Sequence, residues 1–170
     1  MSIEMKQIAL GELMYAQDFD EILPAYGDYG CYYRGWGTMW WTMIQPYVKN
    51  TQLLTCPSDK NLQIGYGVNY FHVSACDAHP THLNPSADLA KVKRPAEVAM
   101  VADSTTNIHY CLICYPQYSI PGITDRHNGG FNVAYCDGHA KWVKADRFLT
   151  AVTPGTPDYD FMATFYGHVW

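Results

Sequence analysis

The sequence predicts a single α+β domain, with a helix first and strands after it. Three patterns carry that expectation. Apolar and small residues recur at three- and four-residue steps near the start. A short apolar run, Val98 to Ala102, is bounded by Arg94-Pro95 and Asp103, as a buried strand would be. Asp137-Gly138 sits between two runs of strand character, a strong hairpin signal.

Taken in order, residues 1–23 read as the helical part. Ile8, Gly11, Glu12, Tyr15, Ala16 and Phe19 form its stripe, Ser2 is a candidate N-cap, and Pro24 lies beyond its end. Residues 24–64 read as a Gly- and Tyr-rich loop and a short helix over 38–49. Trp40, Ile44, Tyr47 and Val48 line that helix, and Pro46 should bend or end it. Residues 65–143 hold the strands: Gly65 to Val73, Val98 to Ala102, an ambiguous Ile108 to Tyr115, and the hairpin 131–143. A two-residue type I′ turn at Asp137-Gly138 would place Phe131, Val133, Tyr135, Ala140 and Trp142 on one core face. Asn132, Ala134, Cys136, His139, Lys141 and Val143 would take the other face. If fully buried, Trp142 should cost roughly 3–5 kcal/mol on truncation to Ala. Residues 144–170 read as a C-terminal extension ending in an aromatic strip.

Composition narrows the function classes. The chain has 170 residues, 48% hydrophobic, 15% aromatic and only 16% charged. That is too apolar for disorder and too poor in charge for a coiled coil. A net charge of −5 gives no footprint for nucleic acid. No run reaches the roughly 20 apolar residues that span a bilayer, and no signal peptide is visible at the start. The six cysteines are Cys31, Cys56, Cys76, Cys111, Cys114 and Cys136. Their even number points to disulfides and an oxidising compartment. Cys111 and Cys114 have redox-dithiol spacing, but no helix signature follows them.

The most chemically suggestive group is His127, Asp137 and His139, with Asp103 as a fourth member. Imidazole and carboxylate together suit Zn²⁺, and carboxylates with carbonyls suit Ca²⁺. The plainer account makes Asp137 a turn residue and His127 a hydrogen-bonded structural histidine. A Cys136–His139 nucleophile pair is a weaker alternative. No serine elbow and no phosphate loop is present. Asp18, Asp20 and Glu21 read as a solvated helix end. Tyr32, Tyr33, Trp36 and Trp41 could form an aromatic surface for a sugar polymer or for assembly.

From Arg126 to His139 the chain reads R-H-N-G-G-F-N-V-A-Y-C-D-G-H, with nine residues between His127 and Asp137-Gly138. This resembles the H-x9-DG signature of bacterial prepilin-like, or type II secretion pseudopilin-like, proteins. Three other segments resemble the family in the same order. They are Met5 to Glu21 with its K-Q-I and Y-A-Q-D cores, Thr55-Cys56-Pro57-Ser58-Asp59, and Arg94 to Ser104. The likeness implies a pilin-like head, a helix laid on an antiparallel sheet with long loops. It implies assembly with other pilin-like subunits or secretion machinery, at the cell surface, in the periplasm or outside the cell. Family members carry a leader and an apolar anchor helix, and any membrane contact would run through that anchor. The expectation is therefore a soluble head without its anchor. The family motif falls on His127, Asp137 and Gly138. A metal-dependent hydrolase using His127, Asp137 and His139, and a carbohydrate-binding module, stand as alternatives.

Overall fold

The computed structural model describes residues 3–25, 38–69, 73–74, 88–104, 111–112, 123–148 and 164. Helix α1 spans Ile3–Asp18. It buries Met5, Ile8, Ala9, Gly11, Glu12 and Ala16, close to the expected stripe. Tyr15 stacks on Phe19 at 4.2 Å. The helix is closed by Glu21 N–H donating to Ala16 O, with Asp20 and Glu21 both at positive φ. The proposed cap at Ser2 lies outside the described residues.

The second helix forms as two single turns, α2 (Trp40–Met43) and α3 (Gln45–Val48). Pro46 stands at the start of α3, where its missing N–H costs nothing, so it ends one turn and begins the next. Trp40 and Ile44 are fully buried under α1.

Four antiparallel strands follow: β1 (Tyr66–Asn69), β2 (Ala99–Asp103), β4 (Gly130–Tyr135) and β5 (Ala140–Lys144). A two-residue strand, β3 (Cys111–Leu112), adds beside β1 in parallel, giving the order β3-β1-β2-β4-β5. The fold is thus α+β, an N-terminal helix on an antiparallel sheet. Every residue of β2 and β4 is buried. Val68, Val101, Ala134 and Ala140 meet Met5, Ile8 and Ala16 of α1. On the opposite face Phe131, Val133 and Tyr135 pack with Ile123, Ala145 and Phe148. Both faces being covered explains why β2 reads as an unbroken apolar run.

The hairpin differs from expectation by one residue. Gly138 N–H donates to Tyr135 O, and Tyr135 N–H to His139 O. Only Gly138 has positive φ (87°), so the turn is a three-residue loop, a type I turn followed by a left-handed glycine. Asn132 then pairs with Trp142 and Phe131 with Val143. That slip moves β5 to the opposite parity. Trp142 and Ala140 leave the Phe131 face, and Trp142 is 40% exposed, not core. Most of the truncation penalty expected of a buried Trp142 disappears with it. A residue with a side chain at 138 would be strained in φ and would meet Leu13 of α1. Gly138→Ala is expected to cost at least about 1–2 kcal/mol in chemical denaturation.

Glu12 is an outlier in this core. It is fully buried, and neither carboxyl oxygen has a hydrogen-bond partner. Burial pushes its carboxyl well above the usual carboxylate range. The folded chain therefore holds a proton that the unfolded chain releases, and stability falls as pH rises through the range above the ordinary carboxylate value. Glu12→Gln should flatten that slope and raise the neutral-pH midpoint in urea titrations at acid and neutral pH. An unchanged slope would place the proton elsewhere.

Candidate functional site

At the last residue of β2 a carboxylate is taken out of water. Asp103 is 1% exposed, and an isolated buried charge is unstable unless paired and hydrogen-bonded. Its partners come from β4 and from the turn that leads into it. Asn132 on β4 donates to Oδ2 twice, from N at 2.6 Å and from Nδ2 at 3.0 Å. Arg126 Nη2 lies 3.5 Å from Oδ1. His127 Nε2 lies 3.3 Å from Oδ2. Arg126 also donates to Ser104 O at 2.8 Å and to Gly65 O at 2.5 Å, and faces Asp59 at 3.9 Å. It ties together the ends of β1 and β2 and the segment before β1.

His127 is positioned by a tight turn. Its N–H donates to Gly130 O and its carbonyl accepts from Gly130 N–H. Asn128 and Gly129 between them are both at positive φ, 55° and 77°. These are the features of a type I′ turn, for which Asn-Gly is a preferred pair. Trp142 Nε1–H also donates to His127 O at 2.8 Å. The ring is thereby aimed at Cys56, whose Sγ lies 3.5 Å from Nε2. Cys56, Asp103 and His127 bring one ligand atom each within 4.8 Å of one another. Cys56 and His127 border a cavity of about 300 Å³ that Glu4, Tyr66, Asn132 and Trp142 also line.

The structure does not bring Asp137 and His139 to His127. They lie past the other end of β4, six residues long and so roughly 20 Å away. Asp137 Oδ1 accepts from His139 N–H at 3.0 Å and meets His139 Nδ1 at 2.6 Å. This is turn chemistry, and the His139 ring stacks on Tyr135. The expected three-residue metal group is therefore not assembled, whereas Asp103 does join His127. The Cys136–His139 nucleophile pair has no support either. Burial first, then Asp137 and Glu12, push the Cys136 thiol up to about 12, away from the reactive thiolate.

Cys56 and Cys136 are free buried thiols, so the disulfides expected of them are not formed. Each is enclosed by its own neighbourhood, one at the His127 end of β4 and the other at the turn end. Cys31, Cys76, Cys114 and the side chain of Cys111 lie outside the described residues, as do Tyr32, Tyr33 and Trp36. Trp41 is half-buried and packs edge-on against Trp40 at 5.8 Å.

No family model, curated protein or solved structure matches the chain. Site partners missed by sequence reasoning are Cys56 as a partner of His127, and Arg126 and Asn132 as partners of Asp103. A signal was present in the pairing of two short elements. Cys56 and Asp59 of C-P-S-D meet His127 and Arg126, adjacent residues in the chain.

Asp103→Ala leaves Arg126 without its nearer, buried carboxylate and Asn132 without its acceptor. The expected cost is about 3–5 kcal/mol by chemical denaturation. Trp142→Phe removes the bond to His127 O along with part of the ring packed over Gly130, and loss of that bond should cost about 0.5–1.5 kcal/mol.

Proposed function

We propose that this chain is a pilin- or pseudopilin-like head that works by assembling with other subunits through α1. The observation that carries this reading is an apolar stripe on the side of α1 turned away from the sheet. Ile3, Leu10 and Met14 are 72%, 58% and 38% exposed. Their seven- and four-residue steps put them within roughly 40° of one another around the helix. Residues of α1 facing the sheet, such as Met5, Ile8 and Glu12, occupy the opposite side. A helix apolar on both sides is one made to be covered on both sides.

The helix-on-sheet architecture and the four family-like segments in order support the same reading. Such a subunit would act at the cell surface or in the periplasm. Among the described residues no helix is long and apolar enough to cross a membrane. The expected occupant of the stripe is the same helix of another pilin-like subunit.

Leu10→Asp with Met14→Asp should leave thermal unfolding unchanged and abolish self-association in a sedimentation concentration series. Leu10→Cys should give disulfide-linked dimers under mild oxidation. A wild-type chain that stays monomeric throughout, with no cross-linked Leu10→Cys product, would sink assembly through this face.

A further inference from the structure

We propose that Cys56, Asp103 and His127 form a binding site for a divalent transition metal, Zn²⁺ by preference. The proposal stands apart from the assembly reading, since none of its three ligands lies on α1.

Three potential ligand atoms converge here, one each from Cys56, Asp103 and His127. Cys56 Sγ and Asp103 Oδ2 both approach the same imidazole nitrogen, Nε2, at 3.5 and 3.3 Å. A nucleophile relay needs the thiol on one ring nitrogen and the carboxylate on the other. Convergence on one nitrogen is not a relay. If Nε2 is bare, its lone pair faces that of the carboxylate. If it carries a proton, the carboxylate takes it and the thiol is left beside the ring without a share in that bond. One central cation would satisfy all three.

The spacings fit. Tetrahedral coordination at about 2.0–2.3 Å sets neighbouring ligand atoms about 3.3–3.7 Å apart. The Sγ–Nε2 and Nε2–Oδ2 separations, 3.5 and 3.3 Å, fall in that range, and all three ligand atoms lie within 4.8 Å of one another. Thiolate with imidazole selects Zn²⁺ and its neighbours over Ca²⁺ and Mg²⁺, which take oxygen. The carboxylate is oriented by Asn132 and Arg126, as ligating carboxylates are by their outer partners. Three protein ligands leave a fourth position, and the cavity beside Cys56 and His127 gives a water or small anion access to it.

Cobalt(II) titration of the reduced full chain tests this. One ion per chain should bind, with a sulfur-to-cobalt charge-transfer band and the intense visible bands of tetrahedral cobalt. Zinc should displace it. Cys56→Ser should remove the charge-transfer band, and His127→Ala should weaken binding by at least about tenfold. Cys136→Ser, the pair Cys111→Ser with Cys114→Ser, and His139→Ala should all keep the band. Absence of saturable binding, or a band that survives Cys56→Ser, overturns the proposal. Should Cys56→Ser fail to fold, X-ray absorption of the zinc-loaded wild type decides. One sulfur neighbour at about 2.3 Å supports the site, and a shell without sulfur overturns it.

Discussion

The buried carboxylate of Asp103 is the constraint around which this end of the molecule is arranged. A charge at 1% exposure requires an opposite charge and directed donors. Arg126 supplies the charge beside Oδ1, while Asn132 supplies two donors to Oδ2, the oxygen that His127 also approaches. Those partners lie on β4 or on the turn leading into it. The requirement therefore fixes how β4 lies beside β2. Arg126 extends the tie to Gly65 and Ser104, and so to the ends of β1 and β2. Replacing the whole group by apolar residues is a different experiment from removing one member, because the penalty belongs to the stranded partner.

The opposite half of the molecule is built on apolar burial. Here α1 crosses the sheet with Met5, Ile8 and Ala16 against Val101 and Ala134. Glu12 is the exception, a carboxyl with no partner in the same layer, held protonated by burial. The two buried acids thus differ in their surroundings. Asp103 has a cation and donors around it, whereas Glu12 has none. Desolvation without compensation shifts a carboxyl toward its neutral form.

Much of this fold was legible in the sequence because its signals are local. The α1 stripe, the apolar run of β2 and the Asp137-Gly138 turn each lie within a few residues. The error of one residue at that turn also has a local cause. Asp-Gly fits both a two-residue type I′ turn and a three-residue loop with glycine at its left-handed position. The choice between them sets the parity of β5, so Trp142 was assigned to the wrong face. The true type I′ turn lies at Asn128-Gly129, where the glycine pair was read only as part of a motif. The site was far less legible. Cys56 and His127 are 71 residues apart, and no periodicity spans that distance. What unites them is the sheet, in which β1 and β4 flank β2, so the segment before β1 and the turn before β4 meet at one end of it.

The nine residues between His127 and Asp137 gain a physical meaning from this geometry. They are not the spacing of a ligand cluster, since the two residues occupy opposite ends of one strand. They comprise the two turn residues Asn128-Gly129, the six residues of β4, and Cys136 of the closing turn. One turn aims His127 at Asp103 and Cys56, and the other sets the register of β5. Because side chains alternate along β4, one added residue within it would reverse the parity between the two ends. With the closing turn held in place, Asn132 would then face away from Asp103. The spacing is thus the length of strand that lets a buried carboxylate find its donors at one end while the hairpin closes in register at the other.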